Sequence, residues 1–244
     1  MKNSKAITSM MMCLLASCGP APPARDYVSA EEVDAMIIPP DANIQFSLSR
    51  GYLTRVEQND LPAGIYDRFV AMAQRMKLPQ TPDLYIDMTD RRRVPQAEAR
   101  FTKEEHAYIV TNRSVYTLWT PEQLLAVFGH ELVHLRKRHV TAENIALAFN
   151  DPSLSIKHEL EADKIGSGPD GSCNPLALEE ALKIVTGIDE SHYLAHHPGQ
   201  TPEDYDAAVG IDHPLWADRA ARLEDMAAHP PEACVKTMGE RINN

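Results

Sequence analysis

Residues 120–139 read TPEQLLAVFGHELVHLRKRH, and the reading of the whole chain starts from this stretch. Thr120 is a helix-capping residue type, Pro121 suits the first helical position, and Gln123 stands where it closes a capping box. The pattern predicts a helix from Pro121 to about His139. Inside it His130 and His134 are four residues apart, hence about 40° from coincidence around the axis. Both imidazoles project from one face, and Glu131 lies beside them on its rim.

Outward from this helix, the upstream residues predict a helix followed by strands. Leu61, Ile65, Phe69, Met72 and Met76 recur in steps of three and four, an amphipathic helix over 61–77 ended by Leu78-Pro79. Strands are predicted at Pro82–Met88, Ala97–Phe101 and Ala107–Thr111. Arg91-Arg92-Arg93 reads as a solvated loop. Downstream, helices are predicted at Thr141–Asn150, Ser155–Ile165, Asn174–Gly187 and Pro214–Ala228. Strands in the middle and helices after them give an α+β fold, one mainly helical domain with a small, mostly antiparallel sheet before the central helix.

The 244 residues are 43% hydrophobic and 24% charged, ample for a buried core and unlike a disordered chain. Asp plus Glu is 35 against 24 Lys plus Arg, a formal charge of −11, which argues against general nucleic-acid binding. No run of 18 apolar residues offers a membrane-spanning helix.

The N-terminus reads as an address. Lys2 and Lys5 precede a mostly apolar stretch from Ala6 to Ala16, too short to span a bilayer and suited to a signal-peptide core. It ends in Leu15-Ala16-Ser17-Cys18, which resembles the bacterial lipobox, whose Cys becomes the lipidated first residue. The expected division is a lipoprotein signal peptide over 1–17, a lipidated Cys18 with a Pro-rich tether and N-terminal extension over 18–50, and one domain over 51–244. Gly19 after the Cys favours the outer membrane, with the protein facing the periplasm and held by its lipid alone. In that oxidising compartment Cys173 and Cys234 either form a disulfide or stay as buried thiols; their spacing leaves both open.

The chemistry follows from ligand counting. Two histidines on one helix face suit Zn²⁺, and a catalytic zinc site takes three protein ligands and keeps an open position. The third must come from elsewhere, and Glu159-Leu160-Glu161-Ala162-Asp163 supplies candidates. Glu159 and Glu161 diverge by about 200° on a helix, so only one faces the metal. Glu159 and Asp163 share a face, which allows Glu159 to ligate while Asp163 supports a ligand histidine. Glu131 is placed to act as general base on a zinc-bound water.

GHELVHLRKRH followed by ELEADKIG resembles the M48 family of zinc metallopeptidases, the HtpX- and BepA-like group, whose pattern is HExxH followed by ExxxD. The likeness runs from about residue 60 to 228, through AYIVTNRSVYTLWTPEQLLAVFGHE, Asn174-Pro175-Leu176-Ala177, and His213-Pro214 with Arg219. It implies a gluzincin-type domain binding one Zn²⁺ through His130, His134 and Glu159. Glu131 is then the base, Asp163 and Arg219 support, and His213 faces the reaction as an oxyanion stabiliser or an addition to the metal shell. His197-Pro198 is a rival His-Pro pair without the following Arg. His139 and His158 read as surface residues or as support behind the ligands.

The likeness also has departures. In place of the family's Asn-Ala-Phe-like edge strand the chain has Gln96–Phe101, which keeps the main-chain groups for strand addition but changes the side chains. The 24 residues between His134 and Glu159 leave no room for membrane helices. The implied protein is a minimal catalytic domain on a lipid tether. It is expected to be a metalloendopeptidase of the cell envelope cleaving extended, unfolded or misassembled envelope proteins. The alternatives are a zinc-binding chaperone or adaptor lipoprotein for envelope assembly with a latent site, and a helical lipoprotein without metal.

Overall fold

The computed structural model describes residues 29–31, 40–90, 94–102, 105–210 and 214–236. The signal peptide, Cys18, the Pro-rich tether, Arg91–Arg93 and His213 lie outside them.

Four strands form one sheet in the order β1-β2-β4-β3, with β1 Leu53–Arg55, β2 Asp83–Asp87, β3 Ala97–Phe101 and β4 Ala107–Asn112. β1 pairs antiparallel with β2 and β3 antiparallel with β4; β2 and β4 run parallel, Leu84 opposite Ile109. The parallel pair is possible because β3 intervenes in sequence and then occupies the edge. Side chains alternate across the sheet. Leu84, Ala99 and Ile109 face the main core, while Tyr85 and Tyr108 face the other way and pack with Ile44 of helix α1 (Pro40–Ser49). Helix α1, whose sequence carries no strong periodicity, thus packs on the back of the sheet.

On the other face, helix α2 (Ile65–Arg75) buries Ile65, Phe69, Met72 and Ala73. It begins at Ile65 rather than at Leu61 because Gly64 caps it with φ 77°, a left-handed conformation that interrupts the stripe. A four-residue helix α3 (Val115–Leu118) leads into α4 (Pro121–Arg136). The capping box of α4 is made on both sides: Thr120 Oγ1 accepts from Gln123 N–H at 3.3 Å, and Gln123 Oε1 accepts from Thr120 N–H at 2.8 Å. From Gln123 to Leu135 every residue of α4 is buried. It is the central rod of the domain.

Helix α5 (Ala142–Asn150) follows, then α6 (Pro152–Gly166), capped by Asp151 with Pro152 at its start, three residues before the predicted beginning at Ser155. α7 runs Pro175–His196, well past Gly187. One helix-interior glycine costs only about 1 kcal/mol, and the flanks propagate through it. α8 (Pro202–Val209) was not anticipated, although Thr201, Pro202 and Asp204 form a full capping box. α9 occupies Trp216–Ala228. A disulfide joins Cys173, in the loop after α6, to Cys234, beyond α9.

Candidate metal centre

α4 and α6 meet at a glycine crossing. A Cβ on Gly129 would fall 2.6 Å from the Gly166 carbonyl oxygen, and one on Gly166 would fall 2.6 Å from the His130 amide nitrogen. Only hydrogen fits at either position, so the helix backbones touch there. The crossing brings Glu159 and Asp163, two turns and one turn before Gly166, over the histidine face of α4.

His130 Nε2 and His134 Nε2 are 3.0 Å apart. Glu159 Oε2 lies 3.4 Å from the first and Glu159 Oε1 3.4 Å from the second. Ligands at about 2.0–2.1 Å in a tetrahedron are about 3.3 Å from one another. The three donors therefore stand close to the spacing of one tetrahedral face around Zn²⁺. Two imidazoles and one carboxylate are also a ligand set that catalytic zinc accepts. Among the described residues, this is the one His, Cys, Asp and Glu group of such closeness.

Behind the triangle, His130 Nδ1 lies 2.9 Å from Asp163 Oδ1. Arg219 on α9 grips Asp163 with two bonds, Nε donating to Oδ2 at 2.7 Å and a terminal nitrogen to Oδ1 at 2.6 Å. The same guanidinium is 3.5 Å from Glu159 Oε2. Arg219 thus ties α9 to Glu159 and Asp163, two of the three acidic side chains of α6. His213 lies outside the described residues.

Glu131 is 8% exposed and accepts a hydrogen bond at 2.8 Å from the Ala99 N–H of β3. Asn112 N–H bonds to Gln96 O and Thr102 N–H to His106 O across the β3–β4 register. Even-numbered β3 residues therefore bond to β4, and Ala97, Ala99 and Phe101 turn their main-chain groups to the free edge. The glutamate at the rim and the edge strand face the same space.

The electrostatics separate these groups. Burial disfavours charge on His130, but Asp163 and Glu159 outweigh it and raise its pKa to about 10. Burial lowers His134 to about 3, with repulsion from His130 and His139 adding to it. Glu159 lies well below the usual carboxylate range despite burial, because His130, His134 and Arg219 surround it. Asp163 is also held down against burial, by Arg219 and His130. Glu131 moves the opposite way: burial pushes it up to about 8, with Glu159 adding and His130 opposing.

The peptidase family M48 model matches residues 63–152, from just before α2 to the start of α6. A protein described as a protease HtpX homolog, from Kineococcus radiotolerans, is 30% identical over 115 residues, which are 46% of this chain and 37% of that relative. The family match places the likeness to peptidase family M48 on the stretch that holds α4. No solved structure matches it. The chain spans little more than a third of the relative's length. The family match contains His130, Glu131 and His134 but stops at Pro152, so the case for Glu159 rests on the geometry.

Of the two alternatives the sequence leaves for His139, surface or support behind the ligands, the structure has the second. His139 is 8% exposed, its Nδ1 is 3.2 Å from His134 Nδ1, and its ring stacks on His158 with centroids 3.9 Å apart. The usable signal was its position five residues after His134, at the end of a helix.

Proposed function

We propose that this chain is a zinc-dependent endopeptidase of the bacterial cell envelope, held to the outer membrane by a lipid on Cys18 and acting in the periplasm on extended or misfolded envelope proteins. The supporting observation is the convergence of His130, His134 and Glu159 from two helices, beside a buried carboxyl on a free strand edge. The address rests on the lipobox-like sequence Leu15–Cys18 alone.

His130, His134 and Glu159 would hold the ion. Zinc, when bound, supplies Lewis acidity toward the scissile carbonyl and toward water. Glu131 takes the proton from the attacking water and passes it to the leaving amine. Asp163 orients His130 and Arg219 orients Asp163 and Glu159. The outward main-chain groups of Ala97 and Phe101, on either side of the Ala99 N–H that Glu131 takes, can pair with an extended polypeptide, which selects unfolded segments over folded ones.

The test is a pair of variants. Glu131→Gln should keep stoichiometric zinc yet cleave an unfolded substrate such as casein about 10²–10⁴-fold more slowly. Glu159→Ala should lose zinc itself, by a larger factor than the about 10–100-fold seen for residues behind the ligands. Undiminished casein cleavage by Glu131→Gln, from protein shown to be free of contaminating protease, would remove the mechanism.

A further inference from the structure

The end of helix α4 is built from a turn with a particular purpose. Arg138 adopts φ 59°, a left-handed conformation that ordinarily favours glycine. Arg138 N–H bonds to Leu135 O at 3.1 Å, and His139 N–H bonds to His134 O at 3.0 Å. These are the two bonds of a Schellman motif, in which the residue two beyond the cap packs against the residue four places before the left-handed one. That contact is usually apolar. Here it joins two imidazoles, His139 and His134. The Arg138 side chain makes two exposed bonds to Glu105 and lies 5.2 Å over the Phe101 ring.

The His139 ring is fixed on three sides. Nδ1 meets His134 Nδ1 at 3.2 Å, Nε2 lies 3.3 Å from Glu161 Oε2, and one ring face stacks on His158. Glu161 is in turn bound to Lys137. A proton inventory then assigns the tautomers. An ionised carboxylate only accepts, so His139 Nε2 carries a hydrogen. Two facing Nδ1 atoms share one proton between them. If it sat on His139, the His134 proton would be forced onto Nε2, the atom that points into the triangle. With the proton on His134 Nδ1, His139 Nδ1 accepts and His134 Nε2 presents its lone pair to the metal.

We infer that His139 is a positioning residue for the metal site, accepting the Nδ1 proton of His134 and so committing His134 Nε2 to ligation. The inference rests on the zinc reading given above. It makes the two ligand histidines unlike: His130 is backed by the charged Asp163–Arg219 pair, His134 by a neutral ring.

The experiment measures zinc affinity of the full folded chain by competition with a chromophoric chelator, with helicity followed by circular dichroism. His139→Leu should weaken zinc binding about 10–100-fold, the range for lost support behind a ligand. His139→Asn places an acceptor oxygen near the former Nδ1 and should stay within about threefold of wild type, a recovery that mere packing would not give. If leucine unfolds the turn, His139→Gln, which moves the acceptor one bond outward, must show the loss instead. Nitrogen-15 spectra of zinc-loaded wild type should place the His134 proton on Nδ1. Equal affinity for wild type, His139→Leu and His139→Gln overturns the role of His139, as does a His134 proton on Nε2. A wild-type chain that takes up no zinc overturns the proposed function first, and this inference with it.

Discussion

Helix α4 carries His130, Glu131 and His134 and is buried from Gln123 to Leu135, whereas α6 carries Glu159 and Asp163 and buries only Ala162, Asp163 and Gly166. The first is held by the core on every side: β3, α2, α6 and α7 all pack on it. The second is held at a glycine crossing and by charge. Half of the centre is thus fixed by hydrophobic packing, and half depends on docking. Damage to the docking should cost α6 its place while α4 stays folded.

Arg219 is the strongest probe of this difference. Its removal leaves Asp163 and Glu159 without their guanidinium. Breaking a buried pair from one side costs about 3–5 kcal/mol. At about 2–4 °C per kcal/mol for a chain of this size, Arg219→Met should lower the melting temperature by at least about 6 °C. Adding Asp163→Asn to the same chain should recover part of the loss, because the stranded charge is gone. An Arg219→Met protein that melts like wild type would show that α6 is held by other means.

The crossing itself comes next. Gly166→Ala puts a methyl against backbone atoms of His130 and Gly129, which cannot swing away. The overpacking should cost about 1–3 kcal/mol and weaken zinc binding by displacing Glu159. Gly187→Ala is the control, since that position on α7 has nothing within 4 Å. It should stabilise by about 0.4–1 kcal/mol and leave zinc affinity unchanged. Thermal melts and zinc titrations of the two variants read out the pair; a like sign for both would undo the comparison.

The same contrast explains what could be read from the sequence. α4 was legible to its cap because its signals are contiguous: Thr120, Pro121 and Gln123 act within one turn, and the two histidines within another. Glu159 could be proposed only by ligand counting and family likeness, since nothing in its neighbours says that α6 reaches α4. What brings it there is Gly166 against Gly129, a contact between residues 37 positions apart that each look like ordinary helix glycines. The edge position of β3 and the Ala99 bond to Glu131 involve main-chain groups, which carry no residue signature. The full length of α7 is not legible because Gly187 mimics a helix stop, and α1 is not because its sequence shows no periodic stripe although Ile44 packs on Tyr85 and Tyr108.

The smallest effect is a slope with pH, and it tests whether charge couples the two helices. In the metal-free protein His130 is raised to about 10 from an ordinary 6.5: burial opposes its charge, and the carboxylates of α6 prevail. That coupling stabilises fully below about 6.5 and is lost as pH rises through about 10. Glu131, raised mainly by burial from 4.5 to about 8, acts with the same sign, favouring the fold below 4.5 and losing that as pH passes 8. Glu159 and Asp163 are depressed, so their contribution is present above the ordinary carboxylate range and is lost only on acidification. From pH 7 to 9 the metal-free chain should therefore lose stability, by at most about 1.4 kcal/mol per pH unit for each proton released. Urea unfolding in the presence of chelator measures this directly, and Glu131→Gln should flatten the slope without abolishing it. Zinc must displace the His130 proton, so the gap in melting temperature between loaded and metal-free protein should widen over the same range. A metal-free chain whose stability is level or rises from pH 7 to 9 would mean that the carboxylates of α6 do not hold the proton on α4, leaving the glycine crossing as the principal bond between the helices.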